Sequence, residues 1–257
     1  MRIWVQSANA ISKDAEVSTY EQSLKRHVQE VASPGTIVDV FGVDVTPPRL
    51  DSYHLSQYIV VSDLVRNAIR AQNDGYDAFV ITGTCDPGYD EIREVLEIPA
   101  VFILETSIHL ACLFSSNFGF LAHSKSLLLR VTDRTKKYGL GERMTPGRCL
   151  NLTHKDFSKM WENPKPYVDA FIEEGKKVIQ QGANILIISG NQSSLFLLYQ
   201  GVREIDGVPI LDACGTVVKF AEFLVTSREM GVIKSKKRTD IAPSSEELAI
   251  LLDLMRP

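Results

Sequence analysis

Cysteine is scarce in this chain: four in 257 residues, at Cys85, Cys112, Cys149 and Cys214, with no C-x-x-C pair and no zinc-ligand spacing. A disulfide framework and a zinc module are thereby excluded, and reduced thiols in a cytoplasmic protein are the expectation. No apolar run reaches the length of a membrane span. The opening residues, Met1-Arg-Ile-Trp-Val-Gln6, read as a strand without the apolar core of a leader, so no signal peptide is expected. No His, Asp or Glu pair has metal-ligand spacing, and no P-loop or dinucleotide-type glycine phrase occurs. No metal and no cofactor are therefore expected. Positive charge is not in excess either: 28 Lys and Arg against 32 Asp and Glu leave a net charge of −4. That balance argues against a nucleic-acid partner and leaves a small molecule as the expected one. The single basic run, Lys234-Ser-Lys-Lys-Arg238, reads as a solvated loop before the last helix.

What the chain does contain is regular alternation. Hydrophobic content of 44% and charged content of 23% are those of an ordinary globular protein. Strand and helix signals take turns, which predicts α/β with mainly parallel sheet. Arg2–Gln6, Thr36–Val43, Ala78–Thr82 and Ala100–Leu104 read as strands, with helices over Thr19–Val31, Tyr58–Asn73 and Asp90–Leu96 between them. Thr46–Leu55, with Pro47-Pro48, reads as a loop. The second half repeats the order: strands at Phe118–Ala122, near Cys149–Leu152, at Ile185–Ile188 and at Pro209–Asp212, and helices at Leu127–Tyr138 and Tyr167–Gln181.

Two phrases carry the repeat, Gly75-Tyr-Asp-Ala-Phe-Val-Ile-Thr-Gly83 and Gly182-Ala-Asn-Ile-Leu-Ile-Ile-Ser-Gly190, with both glycine pairs offset by 107 residues. Each is a buried parallel strand by pattern and ends in a small flexible residue. The expected architecture is two pseudo-symmetric flavodoxin-like lobes, each with a parallel four-stranded sheet, facing across a cleft. Lobe 1 takes residues 1–112 and 213–257, lobe 2 takes 113–212, and the crossings fall near 105–118 and 213–228. Ligands of open α/β sheets bind at the carboxyl ends of the strands. Those ends are Ser7 and Asn9, Gly83-Thr84-Cys85, Glu105-Thr106, His123-Ser124, Ser189 to Gln192, and Asp212. Any one hydroxyl or amide among them reads as a helix N-cap. Six ends converging through a pseudo-twofold read as a site for a small anion, particularly a carboxylate.

The segment Ile81-Thr-Gly-Thr-Cys-Asp86-Pro-Gly88-Tyr-Asp-Glu-Ile-Arg-Glu, followed by Ile98-Pro99 and Glu105-Thr-Ser, resembles the Asp/Glu/hydantoin racemase superfamily, in its hydantoin racemase branch. The second repeat with Val208-Pro209-Ile-Leu-Asp212, and the phrase Tyr138-Gly-Leu-Gly-Glu-Arg143, are similar to further parts of these proteins, so that the likeness spans roughly residues 1–230. The resemblance implies cofactor-independent isomerisation of a small carboxylate- or amide-bearing compound, and a homo-oligomer. It also implies a cysteine in each lobe, one removing a proton from the substrate carbon and the other returning one. Here those positions fall on Gly83 and Gly190, and the family's Asn-Pro-Asn-Thr appears as Ser7-Ala-Asn9-Ala10.

Two-thiol racemisation is therefore not available. Cys85 is one candidate replacement, with a pKa lowered at a helix start; as a plain turn residue it reads equally well. His123 is the candidate general base, because imidazole titrates near neutral pH. Ser7, Asn9, Gly83, Thr84, Glu105, Ser124, Gly190, Asn191 and Gln192 are the candidate substrate-binding residues. Hydrolysis or decarboxylation in a pocket widened by the two glycines stays open beside isomerisation, as does small-anion binding without catalysis. A cysteine pair restored at Gly83 and Gly190 is expected to fold only where both have φ below zero.

Overall fold

Alternation of the apolar residues sets the first sheet. In the computed structural model, which describes residues 1–11, 18–153, 155–233 and 243–255, Ile3 and Val5 face one helix layer while Trp4 faces the other. The basic run at 234–238 and His154 lie outside the described residues. The chain runs β1 (Arg2–Ala10), α1 (Thr19–Val31), β2 (Ile37–Val43), α2 (His54–Asn73), β3 (Ala78–Ile81), α3 (Tyr89–Val95), β4 (Ala100–Phe102) and α4 (Ile103–Phe114). The second half follows as β5 (Gly119–Ala122), α5 (Lys125–Lys137), β6 (Arg148–Cys149), α6 (Asp156–Glu162), α7 (Pro164–Gln180), β7 (Leu186–Ser189) and α8 (Asn191–Tyr199). It closes with β8 (Glu204–Ile205), β9 (Val208–Pro209), α9 (Ala213–Ser227) and α10 (Ser245–Leu254). No described helix is long and apolar enough to cross a membrane.

The first sheet is parallel in the order β2-β1-β3-β4, the second parallel in the order β6-β5-β7. The second sheet thus has three strands where four were expected. Asp206 (φ 49°) and Gly207 (φ 78°) form a tight two-residue hairpin turn that folds β8 and β9 antiparallel. Only Ile210 is left to bridge Leu186 in parallel, with the Leu211 amide donating to the Leu186 carbonyl at 2.8 Å. β1 is longer than its pattern, because after a register shift beyond Gln6 it rejoins β2 at Ala10 opposite Val43. Ser7 and Asn9 therefore sit in an irregular stretch of strand that turns side chains out of the pleat.

Each strand core is dry. Phe79, Phe102, Phe118, Phe120, Phe171 and Phe196 are fully buried, each stabilising the fold by roughly 1.5–3 kcal/mol relative to exposure. α1 and α9 cover one face of the first sheet, and α2 covers the other. α4 follows directly on β4, yet its Leu104, Ile108 and Ala111 pack with Phe118 and Phe120 of the second sheet. The helix that leaves each lobe thus ties it to the other.

Candidate active site

The carboxyl ends of β1, β3, β5 and β7 bring most of the candidate residues to one place. The Asn191 side-chain amide, in the first turn of α8, donates to the Thr82 carbonyl at the end of β3. The residue before Gly83 and the residue after Gly190 are therefore in direct contact across the lobes. Tyr20, buried in the first turn of α1, has its hydroxyl under the influence of the Ser7 and Asn191 side chains. The Ser7 hydroxyl also accepts the Asn9 amide at 3.1 Å.

Other candidates are turned to structural work. Glu105 lies in the first turn of α4, where Arg93 binds both its oxygens and the Tyr89 hydroxyl donates at 2.6 Å. Ser124 caps α5 by accepting the Leu127 amide at 3.2 Å. Asp212 caps α9 through the Gly215 amide and binds His27 Nε2 at 2.8 Å. Thr84 and Gln192 are half-buried beside the two glycines.

His123 ends β5 with its ring buried, edge-on to Phe157 of α6 at 5.1 Å between ring centroids. Its Nε2 is 3.7 Å from an Asp51 oxygen, while Nδ1 is buried without a hydrogen-bond partner. Burial holds the imidazole below its usual value, with Asp51 and the Ser189 backbone pulling the other way. A neutral ring is the result at neutral pH.

Cys85 stands in the turn between β3 and α3, packed with the apolar residues of the second lobe. Burial pushes its thiol up to about 12, with Arg130 pulling down and Asp51 pushing up. The expectation of a lowered pKa is corrected here. The turn precedes α3 by several residues, so Cys85 lies outside the reach of that helix's amides, and desolvation decides. It is a protonated thiol at neutral pH.

The two glycines do not leave open space, contrary to the expectation of a widened pocket. A Cβ on Gly190 would lie 2.6 Å from His123 Nδ1, and the residue has φ +104°. A Cβ on Gly83 would meet the Pro87 ring at 2.9 Å and the Ala8 Cβ at 3.1 Å. The imidazole and the proline ring take the room that side chains would need. Among the described residues no cluster of three His, Cys, Asp or Glu is arranged to hold a metal ion.

Residues 17–221 match the sequence profile of the family described as Asp/Glu/hydantoin racemase. The chain belongs to this family. A hydantoin racemase of Pseudomonas sp. (strain NS671) is 25% identical over 226 residues, which is 88% of either chain. Among solved structures, allantoin racemase from Klebsiella pneumoniae superposes with a TM-score of 0.78 at 18% identity, covering 95% of this chain and 96% of its own. A glycine-to-cysteine mutant of arylmalonate decarboxylase superposes with a TM-score of 0.59 at 12% identity, covering 93% and 97%. These structures share the two-lobe α/β fold.

Three residues of this candidate site escaped the sequence. Tyr20 reads as one more apolar position of an amphipathic helix. Asp51 lies in a segment legible only as loop, yet its charge acts on Tyr20, Cys85 and His123 together. Arg130 of α5 is buried, donating to the Leu50 carbonyl at 3.2 Å and to Gln57. The one signal for it was an arginine on the otherwise apolar face formed by Leu127 and Val131.

Proposed function

We propose that this racemase-family protein is a cofactor-independent enzyme that moves a proton at a carbon next to the carbonyl of a small carboxylate- or amide-bearing compound. His123 serves as the base. One observation carries the reading: the imidazole fills the space beside Gly190, where the family resemblance puts a thiol, with its Nδ1 buried there and making no hydrogen bond. In the forward step the substrate C–H bond breaks, its proton joins the His123 imidazole, and the electron pair moves onto the carbonyl oxygen as an enolate. Tyr20, kept protonated because burial raises it to about 12, is the donor assigned to that oxygen. Return of a proton to carbon from the other face inverts the centre. The thiol of Cys85 is the group assigned to that step.

A second reading, decarboxylation, is favoured by the same thiol. A thiol held protonated up to about 12 has its proton available for a carbanion, but almost none of it is thiolate at neutral pH to take a proton in the reverse direction. One-way protonation after loss of CO2 fits that asymmetry.

Incubation in deuterated water with hydantoins, allantoin, aspartate or glutamate, followed by NMR, tests the first reading. Exchange at the α-carbon is expected with at least one class, falling by roughly 100-fold or more in His123→Gln. CO2 release from an arylmalonate without exchange on the other compounds would move the assignment to decarboxylation. Tight binding of any of these compounds with neither exchange nor CO2 release would leave a binding protein.

A further inference from the structure

We propose that Asp51 is the positioning residue of His123, a carboxylate brought by a loop of the first lobe to set which imidazole nitrogen of the second lobe is the base. The proposal rests on His123 as the base, but its test does not depend on turnover. Three sides of the ring are fixed. Phe157 lies edge-on to it, Gly190 presents bare backbone, and Asp51 faces Nε2 at 3.7 Å. That distance is beyond a direct hydrogen bond and well within the range over which a carboxylate biases where an imidazole holds its proton. With the proton drawn to Nε2, Nδ1 is the nitrogen that keeps its lone pair; it is buried against the Gly190 backbone without a hydrogen bond, and the Ser189 backbone is the other group that acts on the ring.

The loop is built to hold that position. The Ser52 and Tyr53 amides both donate to the Arg49 carbonyl, at 2.8 and 3.0 Å, and Arg49 itself takes φ 53°. The Ser56 hydroxyl donates to the Pro48 carbonyl at 2.7 Å. From the opposite lobe, buried Arg130 donates to the Leu50 carbonyl just before Asp51 and to the Gln57 side chain in the first turn of α2. An arginine of lobe 2 thus fixes the loop of lobe 1 whose carboxylate orients a histidine of lobe 2. Asp51 is the charged group that acts on the imidazole, beside the Ser189 backbone; Asp51 acts also on Tyr20 and Cys85, and Arg130 acts on Cys85. None but Asp51 lies against Nε2. The base is complete only when the two lobes are docked.

Long-range proton–nitrogen NMR of the full chain, with 15N-labelled histidine, reads tautomer and titration directly. The His123 signal is assigned by its loss in His123→Gln. Wild type is expected to show the neutral ring protonated at Nε2. Asp51→Ala is expected to mix the tautomers and to lower the His123 midpoint by about 1 pH unit, since a nearby carboxylate raises it. Asp51→Glu should restore most of both, and Gln57→Ala, which loosens the loop, should move both partway. An unchanged tautomer and midpoint in Asp51→Ala would overturn the proposal. If His123→Gln kept full activity, the assignment of the base would fail while the Asp51 result was still readable.

Discussion

A side chain at Gly190 meets two costs at once: a φ of +104°, which L-residues rarely adopt, and the His123 ring 2.6 Å from the new Cβ. Gly190→Ala is therefore expected to lower stability by about 1–3 kcal/mol in chemical denaturation and to displace His123, with loss of activity. A stable, fully active Gly190→Ala protein would show that the ring does not work where it packs. The same geometry breaks the condition set for restoring a cysteine pair, so the double variant at Gly83 and Gly190 is expected to fold poorly. Cys85 gives a second check at this scale. With its thiol pushed to about 12 by burial, alkylation of the native protein at pH 7 should be much slower than for a free cysteine. Rapid labelling of Cys85 in a mass-spectrometric time course would contradict this.

The start of α4 is tied to a buried titratable group. The Leu104 and Glu105 amides donate to the two oxygens of Asp86, each at 2.9 Å. Burial raises Asp86 to about 7 from an ordinary 3.8, against the pull of these donors and of Tyr138. The folded protein thus holds this proton more tightly than the unfolded chain. Its contribution to stability is full below about 3.8 and is lost as pH rises to about 7. Thermal melts across that window should show a decline in wild type that is absent in Asp86→Asn. Glu222 of α9 behaves oppositely. Although burial works against it, Ser33, Thr36 and Lys219 hold it at about 2, so its contribution is present above 4.5 and lost as pH falls toward 2. The two windows do not overlap above pH 4.5, where Asp86 is read alone of the pair.

At the scale of the whole molecule, polar contacts join the lobes beside the apolar packing. The Tyr138 hydroxyl from α5 donates to Asp86 at 2.7 Å, Arg130 reaches Leu50 and Gln57, and Asn191 reaches Thr82. Tyr138→Phe removes a donor from a buried carboxylate without changing the ring. It is expected to cost about 1–3 kcal/mol in urea unfolding. A variant as stable as wild type would place the joining energy in the apolar packing of α4 and α9 instead.

The sequence by itself determined the family, the α/β class and the strand ends at which the site forms. Hydrophobic alternation and glycine punctuation are local signals, and a duplicated phrase records which two strands correspond. Gly83, Gly190, His123 and Ser7 were legible for that reason. The second sheet's missing strand turned on Asp206-Gly207, a turn signal inside a segment that otherwise reads as strand. Tertiary structure alone decided what fills the space at the glycines, because the fit of the His123 ring against Gly190 joins residues far apart in the chain. It also decided the state of Cys85, where packing from the other lobe overrides any effect of the adjacent turn. Asp51 and Arg130 became visible only once the lobes were docked, since a loop carboxylate and a helix arginine have no mutual spacing to read. Pattern along a chain reports burial and local geometry, whereas the protonation of a site depends on charges and desolvation supplied by distant segments.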